Sequence, residues 1–260
     1  MPKSKEAALL HRFFRNIAPI AAIAMSAGLA GCDGMKITIN DEKGVPLTDL
    51  DMAGEAPTGI VLAGPDAVII STGTALKITV DGEQAAVDAL RFSLEDGTLH
   101  IHREKDGWDN EGKATIMVTM PPPKSMSLAG SGTIESPSLA KNAKIKILGS
   151  GELKTATVDV DALDVKIAGS GSYTAAGTAK ALNLHIAGSG NAGMGDLKVG
   201  GADISIAGSG DADLASDGMI KAKIMGSGDV TITGNATCNV KSMGSGSVTC
   251  QTARNETDDS

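Results

Sequence analysis

The chain has 260 residues, 23 Lys and Arg against 31 Asp and Glu, and a formal charge of −8 at pH 7. Hydrophobic residues reach 42% but aromatics only 2%. There is material for a core, then, but not for the stacking platforms of a single-strand nucleic-acid binder or an aromatic sugar cleft, and the bulk charge opposes polyanions. With 33 glycines, 9 prolines and no three-residue period, the composition leaves an aliphatic, glycine-rich β protein of one or two domains.

Lys3, Lys5, Arg12 and Arg15 precede a short apolar stretch from Ile17 to Ala30. It is too short to cross a bilayer and no stop-transfer pattern succeeds it, so it reads as an export signal. It ends in Leu29-Ala30-Gly31-Cys32, which resembles the lipobox of bacterial lipoproteins. The resemblance implies that residues 1–31 are removed and that Cys32 becomes the acylated first residue. An ordinary signal peptide is the alternative. Each buried methylene of an acyl chain adds about 0.8 kcal/mol, so several chains on one residue anchor firmly to a membrane. The expected location is the bacterial cell envelope, facing the periplasm, with inner or outer membrane left open. Oxidising conditions there favour cysteine pairing.

Residues 32–57 read as a tether and N-terminal extension, with one strand candidate at Lys36 to Ile39. Further strand patterns stand at Ala67 to Ile70, Ala75 to Val80, Thr98 to His102 and Ala114 to Met120, with a short helix at Gln84 to Ala89. A polar loop from Arg103 to Lys113 carries Trp108. This part is expected to stack on the C-terminal half of the chain as its N-terminal coils and cap. His100 and His102 share one strand face and form a candidate metal pair. No third ligand is evident, so a solvated outer face is expected and no metal is assigned.

The strongest signal is a repeat. Gly-Ser-Gly occurs seven times, starting at Gly130, Gly149, Gly169, Gly188, Gly208, Gly226 and Gly244, at intervals of 18 to 20 residues. A fixed period of this size marks a solenoid. Two residues before each triplet stand Leu128, Ile147, Ile167, Ile186, Ile206, Ile224 and Ser242, and four before stand Met126, Ile145, Val165, Leu184, Ile204, Ala222 and Val240. Polar residues alternate with them, among them Lys146, Lys166, His185, Ser205, Lys223 and Lys241. Alternation resumes after the triplet. This is the pattern of strands with one buried face. Each repeat therefore holds two short strands joined by a Gly-Ser-Gly corner, and a third, more variable side absorbs the change in length. No Leu-x-x-Leu-x-Leu frame recurs, which excludes leucine-rich repeats and leaves an all-β parallel β-helix. The serine hydroxyls are expected to bond a neighbouring coil or their own turn. Cys238 and Cys250 fall on inward positions of the last coil, where a disulfide would close the open end; two buried free thiols are the alternative.

The strings Gly64-Pro65-Asp66-Ala67-Val68, Asp96-Gly97-Thr98-Leu99-His100-Ile101 and Val118-Thr119-Met120-Pro121, together with repeated Ala-Gly-Ser-Gly, resemble the head-GIN-domain family of bacterial envelope proteins, labelled autotransporter adhesin heads. The resemblance covers residues 58–250, with the repeat region at 124–250. It implies a right-handed parallel β-helix and carries over no catalytic residue. The chain ends soon after the last coil without an autotransporter barrel, so anchoring through lipid alone is expected. Residues 251–260 read as a disordered tail.

Gly188-Ser189-Gly190-Asn191-Ala192-Gly193 matches G-x-G-x-x-G literally. It lacks the βαβ context of a dinucleotide site, and no cofactor is expected. Asp211, Asp213 and Asp229 are expected to cluster on one outer face as solvated charge, with a weak calcium patch as alternative. The reading is a lipid-anchored, non-catalytic envelope module with a structural or adhesive role. Its partners would be the membrane, an envelope polysaccharide or protein, or a second copy of itself, and no nucleic acid. The alternative is a carbohydrate-active β-helix enzyme of the lyase or hydrolase type, for which a groove lined by charged residues from several coils would be the sign.

Overall fold

The computed structural model describes residues 44–104 and 112–251. Cys32, the signal segment, the Lys36 to Ile39 strand, Trp108 and the tail after Gln251 lie outside the described residues. The architecture is almost entirely β: a parallel β-solenoid of about seven turns.

The first coil is β1 (Gly59–Ala63) and β2 (Ala67–Thr72), joined at Gly64-Pro65-Asp66. The chain then leaves the axis. It forms β3 (Lys77–Gly82), helix α1 (Gln84–Ala89), β4 (Leu90–Glu95) and β5 (Thr98–Arg103), and re-enters through β6 (Ala114–Met120). Strands β5 and β6 pair in parallel with β1 and β2 on the side facing away from the repeats. This closing coil is in turn covered by antiparallel β3 on β6 and β4 on β5. An Asp96-Gly97 turn with φ of 49° and 69° makes the β4–β5 hairpin, both residues being in the left-handed region that a two-residue hairpin requires. The rest climbs in order: β7 (Ser125–Gly130), β8 (Thr133–Ser136), β9 (Asn142–Gly149), β10 (Glu152–Gly169), β11 (Ser172–Gly188), β12 (Asn191–Gly208), β13 (Ala212–Gly226), β14 (Val230–Thr233), β15 (Thr237–Gly244) and β16 (Val248–Gln251).

The helix at Gln84–Ala89 has the expected bounds; β4, whose Leu90-Arg91-Phe92-Ser93-Leu94-Glu95 alternates apolar with polar, is a further strand, and β1 is one that periodicity does not reveal. All five residues of β1 are buried. A strand covered on both faces has no alternation to read. The variable third side also differs from expectation. In the middle coils the strand runs on around it for up to 18 residues, taking up the length differences in register shifts near Thr155, Thr174 and Met194.

The inward column is continuous. Ile101, Leu62, Leu128, Ile147, Ile167, Ile186, Ile206 and Ile224 align one above the other in register, and none is more than 2% exposed. Like residues stack about 4.8 Å apart, and each such burial is worth roughly 1.5–3 kcal/mol. Ser242 and Val240 end the two columns in the exposed last coil. There a disulfide joins Cys238 to Cys250, with Cα atoms 6.8 Å apart.

The Gly-Ser-Gly triplets also form one column, Gly130 through Gly244 in unbroken register. At Gly149 the carbonyl accepts the N–H groups of both Ser170 and Gly171 of the next coil, each at 2.9 Å. The coils approach so closely that a Cβ on Gly188 would lie 2.4 Å from the Gly169 carbonyl oxygen, at a φ of +123°. The serine hydroxyls behave differently from expectation. All seven are exposed and none has a hydrogen-bond partner among the described residues; the serine backbone alone serves the corner.

That difference sets a paired test. Gly188→Ala combines a strained φ with a backbone clash and should cost at least about 2 kcal/mol. Ser189→Ala should stay within about 0.5 kcal/mol of the parent. Urea unfolding of the two variants measures both.

Candidate functional site

At the N-terminal end the corner is built differently. Arg103 closes β5 and is 1% exposed, as is Asp66. Its Nε donates to Asp66 Oδ2 at 2.9 Å and its Nη2 to Asp66 Oδ1 at 2.6 Å, while the Ala114 N–H also donates to Oδ1 at 2.8 Å. A bidentate, fully hydrogen-bonded pair is the form in which burial of charge is tolerated. Arg103 is thus the lock between closing coil and first coil and not the start of a solvated loop. His102 is likewise buried at 2% exposure, contrary to the solvated face expected. Gly44 lies against its ring, where a Cβ would sit 2.5 Å from Cε1. Burial also holds His100 below the usual histidine range, against the opposing pull of Glu95 and Asp96.

The outward faces repeat column by column. After the corner, Asn191, Asp211, Asp229 and Ser247 form a ladder. Each side-chain oxygen accepts the backbone N–H of the next member, at 3.3 Å for Asp211, 2.8 Å for Asp229 and 2.9 Å for Ser247. The Ser247 hydroxyl adds a further bond to Asp229 Oδ1 at 2.7 Å, and these donors hold the Asp229 carboxyl below the usual range. Asp213 stands one outward position further on, in register with Gly193 and Thr231. The acidic residues are therefore spread over two columns, and Asp211 and Asp229 serve as coil-to-coil fasteners. Among the described residues no group of three or more His, Cys, Asp or Glu converges as a metal site.

The third side is laced by ion pairs between coils: Lys141 with Asp159 at 2.7 Å, Lys180 with Asp161 at 2.7 Å and Lys198 with Asp217 at 2.6 Å. The Asn235 N–H, and then Lys198, hold Asp217 below the usual carboxylate range. The buried Tyr173 donates to Thr155 Oγ1 at 3.2 Å, and burial pushes its phenol up to about 12.

The face before the corner is basic. One outward column runs Ser127, Lys146, Lys166, His185, Ser205, Lys223, Lys241, and the next runs Ser125, Lys144, Asp164, Asn183, Asp203, Lys221, Asn239. Six lysines thus stand against two aspartates, in a chain of net charge −8. Only Lys221 of the six has a carboxylate within reach among the described residues, Asp203 at 4.0 Å. Bulk charge conceals this face. The signal for it is the charge at each offset from the triplet, summed over coils.

An open groove of about 600 Å³ lies on the far side of the corner. Its wall carries Ile69, Glu135, Lys154, Asp196 and Asp213, and Gly193 and Gly195 contribute to its surface. A smaller one of about 340 Å³ lies on the basic face between His185, Lys221, Lys223 and Lys241.

The model of the family described as "Putative auto-transporter adhesin, head GIN domain" matches residues 56–236. The chain belongs to this family. A putative adhesin from Bacteroides fragilis has the same fold, with a TM-score of 0.69 at 21% identity over 76% of this chain and 93% of its own. A putative lipid binding protein from Parabacteroides distasonis superposes with a TM-score of 0.59 at 23% identity over 76% and 93%. A putative adhesin from Parabacteroides merdae does so with a TM-score of 0.56 at 17% identity over 76% and 92%. No curated protein matches. Within the head GIN domain, Gly64-Pro65-Asp66 is the first corner and Asp96-Gly97 the cap hairpin, which gives two of the family-like strings a structural role. Among the described residues no helix is long and apolar enough to cross a membrane.

The Asp229 fastener has a pH signature. An aspartate in the unfolded chain titrates near about 3.9, and the folded value is lower. Its contribution is therefore present above that unfolded value and lost as pH falls through the folded one. Asp229→Asn keeps an acceptor for the Ser247 N–H but does not titrate. The parent should melt above the variant at neutral pH, and the gap should close as pH falls below the unfolded value and through the folded one, as read from Tm against pH. Equal Tm at neutral pH would remove Asp229 as a fastener.

Proposed function

We propose that the protein is a non-catalytic cell-envelope module, held to the membrane by lipid on Cys32, whose solenoid presents repeated outward columns to a partner. The observation that carries this reading is the columnar surface itself. Successive coils set residues of one kind along the axis, as in the Asn191–Asp211–Asp229–Ser247 ladder, and so present combs along a line. A reacting bond needs several different groups turned on one point. Membership in an adhesin-like family supports an envelope or cell-surface location and an interaction role. Leu29-Ala30-Gly31-Cys32 supports lipid as the anchor, and the disulfide between Cys238 and Cys250 suits an oxidising compartment.

One observation favours a second reading, a carbohydrate-active enzyme. The groove of about 600 Å³ gathers Glu135, Lys154, Asp196 and Asp213 from four coils. Its basic member, Lys154, is engaged by Glu152 at 3.2 Å, which weakens it as a general base or electrostatic clamp.

Two measurements check these readings. Growth with radiolabelled palmitate should mark the parent and leave Cys32→Ala unmarked, and the variant should move from the membrane fraction to the soluble periplasm. Retention of the variant on membranes would sink the anchor. Incubation with a panel of acidic polysaccharides should yield no unsaturated or newly reducing ends, and product formation abolished by Glu135→Gln or Asp213→Asn would establish the second reading instead.

A further inference from the structure

The basic face has more than charge. Between the column containing Lys146, Lys166, Lys223 and Lys241 and the corner serines runs a third outward column: Ala129, Leu148, Ala168, Ala187, Ala207, Met225, Met243. In its middle three coils the side chain is a single methyl, half-buried, and the adjoining corner serines Ser170, Ser189 and Ser209 are exposed with no hydrogen-bond partner for their hydroxyls among the described residues. Outward columns on one strand face lie two residues, roughly 6.6 Å, apart, and successive coils lie about 4.8 Å apart. The result is a strip along the solenoid axis with hydroxyls on one edge and cations on the other towards its two ends; its floor is methyl in the middle three coils, and Leu148 and the exposed Met225 and Met243 stand beside the end lysines. The cations fall in two groups, Lys144, Lys146 and Lys166 towards one end and Lys221, Lys223 and Lys241 towards the other. Two coils carrying His185 and Ser205 separate them.

We propose that this strip binds a linear carboxylated polysaccharide lying along the solenoid axis. The proposal rests on the interaction role put forward above and names its partner. Each part of the strip has its counterpart in such a chain. The lysines meet the carboxylates, in charge-assisted contacts stronger than neutral ones. The serine hydroxyls and Asn183 and Asn239 meet sugar hydroxyls, being donors and acceptors at once. The alanine floor meets the C–H faces of the rings. Membrane headgroups ask for a broad plane with interfacial anchors, and duplex DNA needs only phosphate neutralisation; neither uses the hydroxyl edge or the methyl floor. Asp164 and Asp203 interrupt the neighbouring column without reversing its sign, and Lys221 keeps Asp203 engaged at 4.0 Å.

The test uses the full chain in non-ionic detergent and a fluorescein-labelled oligogalacturonate, with binding read by anisotropy. The parent should bind, more weakly as NaCl screens the lysines. Lys221→Gln/Lys223→Gln/Lys241→Gln should lose at least tenfold in affinity. Lys141→Gln/Lys180→Gln/Lys198→Gln removes the same charge from the ion-paired third side and should stay within twofold. All six substitutions are at exposed positions, and unchanged far-UV spectra establish that the variants fold. Neutral dextran should not compete, and duplex DNA at equal charge concentration should compete at least tenfold less well. Several results would overturn the proposal: no binding by the parent, equal loss in the two triple variants, DNA competing as well as the oligosaccharide, or lysine-dependent capture by phosphatidylglycerol vesicles in place of the oligosaccharide. Absence of oligogalacturonate binding by a chain that still carries palmitate removes this partner and leaves the anchored module standing. Palmitate-free chain that still binds does the reverse.

Discussion

The structure depends on one close approach, backbone against backbone at the Gly-Ser-Gly corner. A parallel solenoid must turn without losing the hydrogen-bond ladder that holds coil to coil. The corner manages this by aiming the glycine carbonyl at N–H groups of the next coil: Gly130 and Gly149 each accept two, Gly149 from Ser170 and Gly171, while Gly169, Gly188 and Gly208 accept the serine N–H alone. The geometry leaves no room for a side chain. A Cβ on Gly188 would stand 2.4 Å from the Gly169 carbonyl oxygen, well inside any tolerated distance, and the positive φ is one that glycine adopts without steric cost. Because every corner meets the same demand, the isoleucines two residues upstream are brought into register, and the aliphatic column is a consequence of the glycine column.

Where the triplet is absent, another device takes over. The closing coil reaches the first coil at a Gly64-Pro65-Asp66 corner, and there the contact is ionic. Arg103 is held by both oxygens of Asp66, with the Ala114 N–H completing the carboxylate. A buried pair of this sort adds little net stability, but its loss on one side strands a charge, so it fixes how the cap sits on the repeats. Antiparallel β3 and β4 then cover the strand edges that a parallel stack would leave open. The opposite end carries the disulfide and exposed Val240 and Met243. The two ends of the solenoid thus differ: strands cover the edge at the N-terminal end, whereas among the described residues β15 lies exposed at the other.

Register also decides the surface. In a globular domain, surface charges mix and the net value describes the outside tolerably. In a solenoid each outward offset becomes a line. One face of this acidic chain carries six lysines, another the Asp211–Asp229 ladder, and the third side alternates in ion pairs. The same stacking turns isolated carboxylates into fasteners, since an oxygen on one coil lies opposite an N–H on the next.

Much of this is legible in the residues. The 18- to 20-residue period, the inward isoleucines, the corners, and the helix at Gln84–Ala89 emerge from spacing and alternation, because a repeat imposes the same local physics many times over. Strand β1 is hidden, since a run buried on both faces shows no period. The hydroxyls of the corner serines mislead, because a sequence shows a donor but not whether the turn aims it at an acceptor. Arg103 and His102 look solvated in the sequence because their burial comes from segments distant in the chain, Asp66 and Gly44. Sequence by itself determined the coil and its repeat, which are local. The tertiary structure alone decided which charges share a column, which carboxylates bridge coils and which end is closed. Those are properties of register between segments, and register exists only once the coils are stacked.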